Sequence, residues 1–360
     1  MELIIPEAHK TLFTEGIKHP DLYLWDAWSY HQAGVIHLYC LAVNRQKNDG
    51  TTLHPSERNN YPFHVRHFSS KDEGLSWRDE GCFLKARRGE GRHDSKTIWS
   101  GSIEVLQDGS KLTAYTGLSE VSEERTFLQN IALGISKDGF TVDKLAEEPL
   151  SSPLRDWEEI KSMGYYLDDP DLLGHNDGEK NGPIMAWRDP FIFIDLNQRI
   201  HLFWAAKIDS HKNAMAHALL EESEDLYKIA TLFPPISLPD GANFTQLELP
   251  KIHYDPDKQL YYLIVSSCNR LYEMQSDDEV DKNVRLYRSS NLEGPWEAFG
   301  IHGSSVLQKE NLFGLTVLKT DFPNERLLCI APYTDAASDE LSLTFTKAFY
   351  IHLNPVRLEF

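Results

Sequence analysis

Cysteine is scarce in this chain of 360 residues: Cys40, Cys82, Cys268 and Cys329 are far apart and form no Cys-x-x-Cys pair. Neither a disulfide framework nor a thiolate zinc site is expected, and three of the four, set in apolar strand-like runs, read as small buried hydrophobes. Positive charge is also short. Lys and Arg number 36 against 55 Asp and Glu, a formal charge of -19, which speaks against nucleic acid or an anionic membrane as partner, because phosphate contacts need clustered cations. A neutral small molecule fits better. No run approaches the roughly 18 to 20 apolar residues of a membrane span. The opening MELIIPEAHKTLF lacks the basic and apolar regions of a signal peptide, so a cytoplasmic location is expected.

Other absences narrow the chemistry. No GxSxG, P-loop or GxGxxG stands in a strand-to-helix context, which leaves hydride and phosphoryl transfer without support. The histidines at 64, 67, 93 and 175 show no HExxH or other zinc spacing. The Asp-rich stretch LDDPDLLGHNDG at 167–178 does not match an EF-hand and reads as a solvated loop. No cofactor and no metal are expected.

What is present is a repeat. Five apolar, β-rich runs follow turn-like segments: VIHLYCLA at 35–42, KLTAYTG at 111–117, RIHLFWAA at 199–206, QLYYLIVS at 259–266 and RLLCIAP at 326–332. Each is preceded by a second strand-like segment: LYLWDAWSY, IWSGSIEVL, AWRDPFIFI, QLELPKIHY and LFGLTVLKT. That makes five hairpins. Three units continue into further strands, and Ser70-x-Asp72-x-Gly74-x-Ser76-Trp77 has the pattern of an Asp-box hairpin. With 41% hydrophobic residues, including 8 Trp, 15 Tyr and 17 Phe, the chain can fill a large core. Helix signals are thin, the best being a short segment at Leu219–Ile229. The expectation is an all-β fold: a five-bladed β-propeller of four-stranded blades, one domain over residues 1–360 with an axial funnel.

Three acids fall at matching places in that repeat: Asp26 between Trp25 and Trp28, Asp189 within Trp187-Arg188-Asp189-Pro190, and Glu248 within Leu247-Glu248-Leu249-Pro250. Carboxylates are poor strand residues and costly to desolvate. If the first strand of each blade lines the axis, the three converge on one pocket. Such a set suits glycoside hydrolysis, in which one carboxylate attacks or activates water and another protonates the leaving oxygen. A third stabilises oxocarbenium-like charge or grips hydroxyls.

These residues resemble a clan of five-bladed propeller enzymes that contains the levansucrase and inulosucrase family and the invertase and fructanase family. Leu24-Trp25-Asp26-Ala27-Trp28 is similar to the WDSW nucleophile motif of the levansucrases, and Trp99-Ser100-Gly101-Ser102 matches their WSGS. Arg188-Asp189-Pro190 matches the shared RDP, and Glu248-Leu249-Pro250 falls where the two families have ER or ECP. The four motifs stand in family order across roughly residues 20 to 275, most of the chain. The resemblance implies Asp26 as nucleophile, Asp189 as transition-state stabiliser and Glu248 as general acid/base. It places Trp25, Trp99, Ser100 and Arg188 around the fructosyl ring, with Gln246 and Arg270 toward the acceptor side. It implies a retaining β-fructofuranosidase or fructosyltransferase working on a sucrose-like or short fructo-oligosaccharide substrate through a covalent intermediate. Gln246 and Leu249 replace charged residues that the levansucrases carry on the glucose side, so sucrose is expected to be a modest substrate. Two other readings stand beside this one: an inverting arabinofuranosidase- or xylosidase-like hydrolase on the same fold, and a catalytically silent propeller that binds carbohydrate.

Overall fold

The computed structural model describes residues 3–87, 89, 91–307, 312–334 and 342–360. Its strands form five antiparallel sheets, each built from consecutive segments of chain. Blade I holds β1 (Leu22–Gln32), β2 (Val35–Asn44), β3 (His64–Ser70) and β4 (Arg78–Lys85). Blade II holds β5 (Thr97–Val105), β6 (Lys111–Ser119), β7 (Leu128–Ser136) and β8 (Lys144–Leu145), and blade III holds β9 (Arg188–Ile194), β10 (Ile200–Asp209), β11 (Lys212–Glu222) and β12 (Tyr227–Leu232). Blade IV comprises β13 (Gln246–Asp255), β14 (Leu260–Cys268), β15 (Lys282–Ser289), β16 (Glu297–Ala298) and β17 (Ser305–Leu307). Blade V comprises β18 (Thr316–Asp321), β19 (Arg326–Ile330), β20 (Phe349–Leu353) and β21 (Val356–Glu359). The molecule is a five-bladed β-propeller. Blade IV departs from the four-stranded pattern, because β17 also pairs with β15.

The ten segments that the repeat nominates fall on the first two strands of the five blades. Their continuous apolar character has a physical cause. Each blade is packed on both faces, and five hydrophobic clusters fill the five gaps between neighbouring blades. Along β2, Leu38, Cys40 and Ala42 point into the gap with blade V, whereas Tyr39, Leu41 and Val43 point into the gap with blade II. The period of two survives, but both of its faces are apolar. The Asp-box hairpin forms as its pattern implies: Ser70 Oγ donates to Asp72, the Gly74 N–H donates to Ser70 Oγ at 2.8 Å, and Trp77 is buried.

The short helix expected at Leu219–Ile229 is absent. Those residues end β11, turn at Ser223–Leu226 and enter β12, an outer strand whose side chains are largely exposed. A polar edge strand lacks the apolar alternation that marks its inner neighbours, and the Glu and Leu residues that end β11 and form the turn before it mimic a helix. The described helices are short and lie in the blade II to blade III connection: α1 (Trp157–Ser162) and α2 (Asn176–Asn181). The Asp-rich stretch runs there through turns into α2, with Arg125 donating to the carbonyls of Leu173 and Pro170. None of the described helices is long and apolar enough to cross a membrane. The four cysteines are free thiols, Cys82 half-buried and the others buried.

A latch closes the circle. Residues 13–17 cross the seam between blades V and I: Phe13 pairs with Trp77 of blade I, and Ile17 pairs with Phe345 just before β20. The buried Arg66–Asp79 pair, at 2.6 Å, ties down the chain just before this segment, because Arg66 also donates to the carbonyls of Pro6 and Glu7.

The innermost strands are β1, β5, β9, β13 and β18, and each carries one residue more than its partner at one point. The ladder slips between Trp25 and Ala27, Trp99 and Gly101, Arg188 and Phe191, Glu248 and Lys251, and Val317 and Lys319. These are β-bulges, which bend a strand and re-aim its side chains. In three of them a non-glycine residue sits at positive φ: Asp26 at 29°, Asp189 at 61° and Leu249 at 52°. Such backbone strain persists only where the surroundings over-determine it. In blade II the bulge brings Gly101 against its neighbour so closely that a methyl group there would lie 2.1 Å from the Ala114 carbonyl oxygen. Gly101→Ala should therefore destabilise the protein by about 3 kcal/mol or more. Gly109→Ala, in an open turn at φ 83°, should cost only about 1 kcal/mol. Denaturant unfolding of the two variants checks this; equal midpoints would contradict the close-packed reading of the bulge.

Candidate active site

The bulges decide where the acids point. Asp26 on β1, Asp189 on β9 and Glu248 on β13 come from blades I, III and IV, and their charges act on one another. The side chain of Asp189 is 6% exposed and that of Glu248 23%. Asp26 is half-buried.

Each acid is held by named groups. Ser100 Oγ, from the bulge of β5, donates to Asp26 Oδ2 at 2.7 Å. Asp189 Oδ2 accepts the N–H of Leu249 at 3.2 Å, while the Asp189 N–H donates to Thr116 Oγ1 at 2.9 Å. Arg188 spans two of the acids, with Nε 3.8 Å from Asp189 Oδ2 and Nη2 3.5 Å from Glu248 Oε1. Its Nη1 is fixed by the Met185 carbonyl at 2.6 Å. Cys268 Sγ lies 3.9 Å from Glu248 Oε1.

The site thus gathers Asp26, Ser100, Arg188, Asp189, Gln246 and Glu248. Gln246 is buried and fixed at both ends, its Oε1 accepting from Arg188 Nη2 at 3.4 Å and its Nε2 donating to the Arg270 carbonyl at 3.2 Å. The other nominated residues stand differently. Trp25 is buried, its ring edge-on to Phe63 at 4.8 Å, and Trp99 is half-buried, 6.4 Å from the Phe127 ring. The Arg270 guanidinium donates to the carbonyls of Glu273 and Gln275 in its own loop. Leu249 is also buried, with Cδ1 beside Gly314.

Residues outside the nominated set complete the electrostatics. Arg58, whose guanidinium lies 5.9 Å from the Trp25 ring centre, and the buried Lys251 both favour the ionised form of Asp26. Lys251 had a visible signal, a lysine three residues after Glu248 inside an apolar strand. Arg58 had none, because it comes from a 3-10 turn (Pro55–Asn60) in the long loop between β2 and β3. At the other end of the innermost strands the axis opens into a separate cavity of about 480 Å3, lined in part by Trp28, Glu104, Phe193, Tyr254 and Lys251.

Burial raises the Asp26 carboxyl above its ordinary value; the Ser100 hydroxyl opposes this and the Glu248 charge adds to it. Asp189 is pushed up to about 7, first by burial, with Arg188 opposing and Glu248 and Asp26 adding. Its native-state value lies above the ordinary 3.8. The folded chain therefore binds this proton more tightly, and the associated stability is complete below about pH 4 and lost as pH rises through about 7. Asp189→Asn keeps an acceptor for the Leu249 N–H without the charge. The variant should melt above the wild type at pH 8, with a gap that shrinks at pH 5. A variant destabilised equally at both pH values would contradict the charge assignment.

No protein-family model matches the chain, and no curated protein sequence matches it either. Solved structures do. An inulosucrase from Halalkalicoccus jeotgali bound to kestose superposes at TM-score 0.65 with 18% identity, covering 99% of this chain and 89% of that one. A doubly substituted Bacillus subtilis levansucrase in complex with oligosaccharides gives 0.64, 13%, 99% and 89%. A Bacillus megaterium levansucrase variant gives 0.63, 15%, 96% and 87%. Over nearly its whole length, then, this chain has the five-bladed propeller fold seen in levansucrases and an inulosucrase.

Proposed function

We propose that this protein is a retaining glycosidase or transglycosylase acting on β-fructofuranosides, as a β-fructofuranosidase or a fructosyltransferase, through a covalent fructosyl-enzyme intermediate. The observation that carries the reading is the meeting of Asp26, Asp189 and Glu248 at one end of the axis, with Arg188 between two of them. Support comes also from structural neighbours that were crystallised with sucrose, kestose or oligosaccharides.

In this reading Asp26 attacks the anomeric carbon through Oδ1 while Ser100 holds Oδ2. The bond from that carbon to the leaving oxygen breaks, and Glu248 gives that oxygen its proton. Glu248 then takes a proton from water or from an acceptor hydroxyl, which displaces Asp26 with a second inversion, so configuration is retained. Asp189 accepts hydrogen bonds from ring hydroxyls and offsets positive charge on the anomeric carbon as the bond breaks. Arg188 keeps Asp189 and Glu248 in register, and Trp25 and Trp99 give the furanosyl subsite its wall. The protein acts as one catalytic domain and needs no cofactor.

The substrate side that leaves is less tightly specified. Gln246 is committed to Arg188 and the Arg270 backbone, and Leu249 offers only an alkyl chain, so few strong polar contacts await a glucosyl group. Sucrose is then a modest substrate and transfer products are short.

Product analysis with sucrose, short fructans and aryl arabinofuranosides tests the reading. Fructose release or transfer with retained configuration is the expected result. Inverted product from the arabinofuranosides would favour the inverting alternative, and no turnover of any of them would favour a silent carbohydrate binder. Glu248→Gln should lose most of its activity on sucrose, about 100-fold or more, yet keep far more on an aryl fructoside whose leaving group needs no proton. Equal losses on both substrates would contradict the acid/base role.

A further inference from the structure

Lys251 sits beneath the acids. It lies beyond the β13 bulge from Glu248, is 4% exposed, and faces the rear axial cavity rather than the open pocket. Its Nζ lies 3.5 Å from the Leu249 carbonyl oxygen. The same Leu249 donates its N–H to Asp189 Oδ2, and its Cδ1 and Asp26 Oδ1 both flank Gly314, within 3.2 and 3.3 Å of where a Cβ would stand. Leu249 therefore links Lys251 to Asp189 by hydrogen bonds and stands with Asp26 against Gly314. Among the described residues the ammonium feels Asp26 and Asp189 through space and not through a side-chain hydrogen bond.

We propose that Lys251 is a positioning residue that holds Asp26 ionised, and so sets the lower pH limit at which the nucleophile works. The inference rests on the reading of Asp26 as nucleophile. Three carboxyls meet two buried cations here, Arg188 and Lys251. One proton on the acids brings this buried set to neutrality, with Arg58 adding a further, less buried cation near Asp26 from the loop before β3, and one proton is the number an acid-catalysed glycosyl transfer needs. Without Lys251 a second proton becomes favourable, and the desolvated Asp26 is a natural place for it.

A contact ion pair would occupy the attacking oxygen and quench its nucleophilicity. A cation placed behind the carboxylate stabilises the charge and leaves Oδ1 open. The groups that face Lys251 agree with this. Burial pulls its ammonium down to about 8, Asp26 and Asp189 hold it up, and the nearby Cys329 thiol is pushed up by its own burial. His253, two residues along the strand, is lowered by burial and by Lys251 to about 4. Glu104, which lines the same cavity, is raised by its own burial, so near pH 7 the site keeps one cation and a neutral imidazole beneath the acids.

The test uses Lys251→Met and Lys251→Arg with an activated aryl fructoside. In Lys251→Met the acid limb of the kcat/KM profile should move up by about one pH unit or more, with KM little changed, and Lys251→Arg should restore the wild-type limb. A role confined to packing would lower kcat with the limb unmoved, and that result overturns the proposal. Lys251→Gln gives the same readout where the methionine variant does not fold.

Carboxyl 13C titration of labelled aspartate, with the Asp26 signal identified by its loss in Asp26→Asn, provides a readout that needs no substrate. An unmoved Asp26 midpoint in Lys251→Met overturns the proposal whatever the enzyme acts on. A raised midpoint in a protein that turns over no furanoside supports the charge coupling and removes the fructosyl reading instead.

Discussion

Around the axis runs a closed circuit of hydrogen bonds from blade to blade, and the position of each acid depends on it. Thr316 of blade V donates to the Ala27 carbonyl of blade I, and Ser100 of blade II donates to Asp26 of blade I. The Asp189 N–H of blade III reaches back to Thr116 of blade II, and the Leu249 N–H of blade IV to Asp189 of blade III. The Gly314 N–H, leading into blade V, closes the circuit on Ser266 of blade IV. Each bond contributes about 1 kcal/mol net, yet an orphaned buried partner costs more than that. Each blade edge is thus penalised for drifting from its neighbour, and the five apolar gaps supply the bulk attraction behind it.

The circuit also accounts for the coexistence of strain and buried charge. A straight strand would present side chains alternately to the two inter-blade gaps, where a carboxylate has no place. The bulges turn Asp26 and Asp189 out of those gaps toward the axis, at the cost of left-handed backbone at non-glycine residues. Two carboxyls raised by burial, two cations beneath and beside them, and a set of circuit bonds that cannot relax independently make a site organised for charge rather than for stability.

Much of this was legible in the sequence. The five hairpins stood out because each inner strand is packed on both faces, which produces apolar runs that helices of this length would not. Asp26, Asp189 and Glu248 were conspicuous as charges inside those runs. The outer strands were harder: the Glu- and Leu-rich end of β11 and its turn resemble a helix in composition, and β12 itself is so slightly buried that its side chains carry little positional demand. Arg58 reaches the pocket from a locally capped 3-10 turn in a long loop, and Arg270 is taken up by its own loop carbonyls, so no pattern of residue types shows which of the two faces the acids. Nor does sequence reveal that a latch of residues 13–17 closes the seam, since its bonds are made by backbone.

The function stands or falls on whether Asp26 bonds to the sugar. On the proposed mechanism, Glu248→Gln, given an activated aryl β-fructofuranoside, should form the intermediate quickly and hydrolyse it slowly, since the proposed activator of water has been removed. Mass spectrometry of the quenched protein should then show a species heavier by one fructosyl residue, with the added mass on the peptide carrying Asp26. Turnover with no adduct, or an adduct on another residue, would contradict the assignment of Asp26 as nucleophile.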